Sequence, residues 1–254
     1  MRKLVLMLPV MAAVLAGCAA KTDYRYSCAN ELEAAGHDVI HLEIGEPDFS
    51  TAEPIVKAGQ AALAAGRTRY TAARGLPALR EAIAGHYSSH YDLDINPERI
   101  MITPGGSGAL LLTSALLVDP GKHWLLADPG YPCNRHFLRL VEAEAQLVPV
   151  GPEEKYQLTA ELIERHWDQD SVGALLASPA NPTGTVLNRA ELAQIAAALR
   201  ERGGHMVVDE IYHGLTYGMD APSALEVDND AFVLNSFSKY FGMTGWRLGW
   251  LVAP

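Results

Sequence analysis

Lys239 stands at the end of Asn235-Ser236-Phe237-Ser238-Lys239, and Arg247 follows in Gly242-Met243-Thr244-Gly245-Trp246-Arg247-Leu248-Gly249. A lone lysine is ordinarily solvated. An amine held beside a fixed cation is more readily neutral, however, and a neutral amine attacks an aldehyde. Asp209 closes the apolar run of Val207-Val208-Asp209-Glu210-Ile211-Tyr212. An unpaired charge there would cost on the order of several kcal/mol, so a cationic partner is expected. A protonated pyridine nitrogen would serve, with the phenol of Tyr212 in reach of a ring oxygen. Pro104-Gly105-Gly106-Ser107-Gly108 has the composition of a strand-to-helix turn that grips phosphate through backbone N–H groups and the helix dipole. It lacks the Gly-Lys-Ser/Thr of a nucleotide loop and the spacing of a dinucleotide fingerprint, and alone it reads equally as a plain glycine turn. In Ser178-Pro179-Ala180-Asn181-Pro182-Thr183-Gly184, turn chemistry accounts for the prolines and glycine but not for an amide at Asn181 aimed into a site.

The elements that would position these groups alternate. Helical composition spans Asn30 to Ala35, ending at Gly36, then Pro54 to Ala65 and Leu76 to Tyr91, with a short apolar strand over Val39 to Ile44. Strands are then predicted at Arg99–Thr103, Trp124–Ala127, Gln146–Val150, Val172–Ala177, His205–Asp209 and Phe232–Asn235. Helices are predicted at Ser107–Leu117, Asn134–Glu142, Thr159–His166 and Arg189–Arg202. Continuous apolar strands between amphipathic helices signify an α/β fold, a mostly parallel sheet covered on both faces. Ligands of such sheets collect at the carboxyl ends of the strands, where the four reactive segments fall.

The 254 residues, 49% of them hydrophobic, suffice for a sizeable core. A formal net charge of -10 and the lack of a basic run with interleaved aromatics argue against nucleic acid as a partner. Cys18, Cys28 and Cys133 have neither disulfide-framework nor zinc spacing, and His86 with His90 lacks the further ligands of a metal site, so no metal is expected.

Residues 1–20 differ from the rest. A basic start, an apolar run from Leu4 to Ala16 and Leu15-Ala16-Gly17-Cys18 have the form of an export signal, too short for a permanent span. The ending resembles the lipobox of bacterial lipoproteins, which implies acylation at Cys18 and a membrane lipid anchor. Residues 21–28 are assigned to a junction and 29–254 to the body. The body has the character of a cytoplasmic metabolic enzyme, so the two parts point to different compartments.

The motifs of the body, from Asn181-Pro182-Thr183-Gly184 through Asp209-Glu210-Ile211-Tyr212 to Ser236-Phe237-Ser238-Lys239 and Gly245-Trp246-Arg247-Leu248-Gly249, resemble those of the class I/II aminotransferases, pyridoxal-5′-phosphate (PLP) enzymes of fold type I and the aspartate aminotransferase-like superfamily. The resemblance runs from about Ala29 to Pro254 and takes in Ile44-Gly45-Glu46-Pro47-Asp48-Phe49, Tyr70-Thr71 and Gly75-Leu76-Pro77-Ala78-Leu79-Arg80. It implies a seven-stranded-type sheet, the large domain of a PLP transferase, with an amino group moved from an amino acid to a 2-oxo acid.

By position it implies that Lys239 holds PLP as a Schiff base and acts as general base, that Asp209 pairs with the pyridinium nitrogen, and that Tyr212 and Asn181 hydrogen-bond the ring oxygen. Gly105, Gly106, Ser107, Ser236, Ser238 and Arg247 would hold the phosphate, and Tyr131 would stack on the ring. Gly45 and Asn181 would lie near the substrate, and Tyr70 would reach the phosphate of a second subunit, implying a homodimer. Relatives continue into a small C-terminal domain whose arginine grips the substrate carboxylate. The stop at Pro254 therefore implies an incomplete body whose own activity is in doubt. A PLP lyase or racemase, and an inactive fragment or lipoprotein, stay open as alternatives. Asn181 with Tyr212 favours the aminotransferase over the lyase, while the stop at Pro254 speaks for the fragment.

Overall fold

A computed structural model describes residues 23–40 and 45–254, with side chains described from residue 29. The chain divides into two compact units, Met1–Glu46 and Pro47–Pro254. In the first, helix α1 (Asp23–Ala34) starts inside the segment assigned to the junction. It closes at Gly36, whose φ of 89° lets His37 N–H reach back to the Leu32 carbonyl at 3.0 Å. Val39 and Ile40 belong to no strand, and His41–Ile44, like Cys18 and its signal, lie outside the described residues.

The second unit opens with α2 (Glu53–Ala64) and α3 (Pro77–Tyr91), each with proline in its first turn, where a missing N–H costs nothing. There follow β1 (Ile100–Thr103), α4 (Gly105–Leu117), β2 (His123–Asp128), α5 (Asn134–Leu140), β3 (Glu144–Pro149), α6 (Ala160–His166), β4 (Ser171–Ala177), α7 (Arg189–Glu201), β5 (His205–Asp209), β6 (Phe232–Ser236) and β7 (Gly249–Val252). Asn188 and Glu191 form a reciprocal capping box that fixes the start of α7.

The seven strands lie in the order β1-β7-β6-β5-β4-β2-β3. The block from β6 through β3 is parallel, and β7 runs antiparallel to both β6 and β1. β7 was not expected as a strand: its four residues follow the Arg247 motif directly, and its antiparallel pairing has no counterpart in the βα alternation.

Alternate residues feed two cores, because successive side chains of a strand point to opposite faces. Leu125, Leu176 and Val208 pack with Ile83 and Tyr87 of α3, Ile163 of α6 and Ile195 of α7. Leu126, Leu175 and Val207 pack with Leu110 of α4 and Leu138 of α5. Helices thus cover both faces, which is why the parallel strands read as unbroken apolar runs. With β7 reversed, β1 shares the direction of β6, β5, β4 and β2, so the loops after all five open on one edge.

Candidate active site

The residues expected to hold phosphate begin at α4, whose first turn has no side-chain cap, leaving the N–H groups of Gly105, Gly106 and Ser107 at a positive helix end. Gly105 takes φ 73°, and a Cβ there would come within 2.6 Å of Arg247 Nη2. The guanidinium therefore lies against the helix start. Arg247 has φ 53° and donates from Nη1 to the Thr244 carbonyl at 2.9 Å, which orients the fork. A Cβ on Gly106 would stand 3.8 Å from that of Ser236, and one on Gly249 would sit 2.7 Å from the Gly105 carbonyl carbon, so β6, β7 and α4 converge here. Ser236 and Ser238, both buried, have their hydroxyls 2.5 Å apart, and Ser236 Oγ also donates to the Leu248 carbonyl at 3.1 Å. Ser107 is half-buried in the same turn.

Lys239 follows directly on that serine pair. Its Nζ stands 6.0 Å from the centre of the Tyr212 ring. The Tyr212 hydroxyl accepts from Asn181 Nδ2 at 3.4 Å, so residues from the loops after β4, β5 and β6 meet. Burial raises the Tyr212 phenol above its ordinary range, and the carboxylate of Asp209 adds to that.

Asp209 Oδ1 accepts the Ile211 N–H at 3.0 Å. Enclosure by protein is the main cause that pushes its carboxyl up to about 7; the Ile211 hydrogen bond opposes this and Glu210 adds to it. Asp209 is half-buried and pairs with no cationic side chain among the described residues. A carboxyl in this condition is held ionised by a cation brought against it.

Tyr131 shares with Asn181 the wall of a cleft of about 210 Å³. Burial raises its phenol, as do a hydrogen bond with the Cys133 thiol and the nearby Asp209 and Tyr212. The free thiol of Cys133 beside this ring was not anticipated from sequence. Tyr70 is fully exposed in the segment between α2 and α3, and Gly45 belongs to the first unit.

The residues suit PLP on three counts. An uncapped helix end with an arginine and two hydroxyls suits a phosphate dianion, the unpaired carboxyl of Asp209 suits a pyridinium, and an amide and phenol beside a lysine suit a hydroxyaldehyde ring.

A family described as aminotransferase class I and II matches residues 37–254. The valine–pyruvate aminotransferase of Mycobacterium tuberculosis is 40% identical over 229 residues, covering 89% of this chain and 58% of that protein. The (5-formylfuran-3-yl)methyl phosphate transaminase of Methanocaldococcus jannaschii is 39% identical over 228 residues, with the same coverage. Among solved structures, an aspartate aminotransferase from Thermus thermophilus with maleate superposes with a TM-score of 0.87 at 32% identity, covering 92% of this chain and 61% of that one. The chain thus spans about three fifths of the length of these relatives. Two opposed faces of helices on a mostly parallel sheet, an uncapped helix start beside an arginine and two hydroxyls, and a lysine beside an amide–phenol pair agree with the family match over residues 37–254: the chain belongs to the class I and II aminotransferases.

Proposed function

We propose that this chain supplies the cofactor-binding body of a PLP-dependent aminotransferase, which moves an amino group from an amino acid to a 2-oxo acid. The observation that carries the reading is the meeting of Lys239 Nζ, the Tyr212 ring and the Asn181 amide, with the carboxyl of Asp209 close enough to act on the Tyr212 phenol. PLP supplies an aldehyde that condenses with amines and a ring that accepts electrons from the substrate α carbon.

The protein's own residues bind, orient and move protons. Lys239 holds the cofactor covalently and, once displaced, carries the proton to and from the substrate α carbon. Asp209, kept anionic by a positive ring nitrogen, holds that nitrogen protonated. Asn181 and Tyr212 donate to the ring oxygen. The N–H groups of Gly105, Gly106 and Ser107, the hydroxyls of Ser236 and Ser238 and the Arg247 guanidinium fix the phosphate, and Tyr131 covers the ring. The family resemblance supports Gly45 as a backbone contact to the substrate and Tyr70 as a contact to the phosphate of a second subunit in a homodimer.

Borohydride reduction of the PLP-loaded protein followed by peptide mapping tests the reading. The label is expected on Lys239; a folded protein labelled on another lysine, or on none, overturns it. The Leu15-Ala16-Gly17-Cys18 run supports a lipid anchor in addition. Labelled fatty acid should enter the protein in bacterial cells and should be lost in Cys18→Ala; unmodified Cys18 in the full-length protein would remove the anchor from the proposal.

A further inference from the structure

Behind Asp209 and Tyr212 lie two ionisable groups that the scheme above leaves unused, Glu210 and His213, only 1% and 6% exposed. The imidazole joins elements far apart in the chain. Its Nε2 is 2.9 Å from the carbonyl oxygen of Ser178, and its Nδ1 is 2.8 Å from the Tyr91 hydroxyl at the end of α3. A carbonyl can only accept, so Nε2 carries the proton and Nδ1 accepts from Tyr91. The Glu210 carboxyl, 3.6 Å from Nδ1, accepts from the Ser223 hydroxyl and the Ala224 N–H. Burial lowers the His213 imidazole to about 4 and raises the Glu210 carboxyl to about 8, each toward its neutral form, the direction in which the tautomer also points. Tyr91 and His86 face the pair from α3, and Tyr87 also feels Glu210.

Ser178 is the point of leverage. Its N–H donates to the Asp209 carbonyl at 3.1 Å, its hydroxyl accepts from Leu187 N–H at 3.0 Å, and its peptide begins the turn that presents Asn181. His213 is the residue after Tyr212. One imidazole therefore ties the loop carrying the phenol to the loop carrying the amide.

We propose that His213 is a positioning residue, which through its hydrogen bonds to Ser178 and Tyr91 sets the spacing of Asn181 and Tyr212 from the cofactor ring oxygen. The inference rests on the function proposed above, in which those two groups bind that oxygen. It is tested without substrate, by titrating the visible absorbance of the PLP-loaded full chain against pH and recording the thermal midpoint of each variant.

In His213→Phe, which loses both hydrogen bonds, the spectral midpoint is expected to rise by roughly half to one pH unit as the ring oxygen loses donors. His213→Gln, which can still donate to Ser178, is expected to restore most of the native midpoint. Tyr91→Phe removes one oxygen and should shift the midpoint in the same direction by less, and it carries the test if His213→Phe does not fold. A lowered thermal midpoint with an unmoved spectral midpoint, or equal spectral shifts in the Gln and Phe variants, overturns the inference. A native protein with no visible band that depends on Lys239 overturns instead the function on which it rests.

Discussion

At Asp209 and Glu210 two adjacent carboxyls are both pushed toward the neutral form, to about 7 and about 8, chiefly by burial. A folded-state value raised above the unfolded one contributes stability that is present at low pH and lost as pH rises through the folded value. His213 has the opposite sign: lowered to about 4, it contributes stability that is complete above its unfolded value near 6.5 and lost as pH falls. Between pH 6.5 and 8 only the carboxyls titrate, so the PLP-free protein should lose stability across that window, on the order of 2 kcal/mol for buried Glu210. Denaturant unfolding at the two pH values measures this, and Glu210→Gln should flatten the slope. Asp209→Ala removes the partner of the ring nitrogen and should lower kcat/KM by about thirty- to several-thousandfold, the loss of roughly 2–5 kcal/mol expected on breaking an enclosed charge pair. Asp209 and Lys239 stood out in the sequence because each sits in a short run of chemically telling neighbours, and the structure places them at the end of β5 and just after the adjacent β6. The bridge from Tyr91 through His213 to Ser178 was not, since its members are 122 and 35 positions apart and nothing local marks an imidazole as buried.

The element that concentrates the phosphate grip is α4, and its geometry depends on glycine at the first position. Gly105→Ala would strain the backbone at φ 73° and drive a methyl group into the Arg247 guanidinium. The combined cost of about 1–3 kcal/mol should weaken PLP binding roughly five- to hundredfold, read by fluorescence titration of the cofactor into the PLP-free protein. A contrasting substitution is Asn188→Ala, which removes the cap of α7 on the opposite face. It should cost about 1 kcal/mol in unfolding free energy while leaving PLP affinity unchanged. From α2 onward the helices and parallel strands were readable to within a few residues from hydrophobic period and end signals, since burial on both faces writes itself into the strands as apolar runs, whereas α1 begins seven residues before the expected Asn30. β7 was not readable, because four residues give too little pattern, and its place between β1 and β6 depends on pairing across the sheet.

For the molecule as a whole, a homodimer is the expected assembly, supported by the exposed Tyr70 and by Leu112 and Leu116, 51% and 65% exposed on α4. Sedimentation at twice the chain mass is expected, and Leu112→Glu with Leu116→Glu should shift the equilibrium toward single chains. The sheet order has a further consequence, for synthesis. Among the described residues β1 pairs with β7 alone, yet the ribosome delivers β1 first and β7 last of these seven strands. The parallel block from β2 to β6 can form with α4 packed on its face while β1 waits for an edge to pair with. Only when residues 249–252 emerge can β7 bridge β6 to β1 and seat Gly105 beneath Arg247. A nascent chain is therefore expected to lack the corner formed by Gly105, Gly249 and Arg247 until that strand has left the exit tunnel, and its affinity for PLP should rise only then.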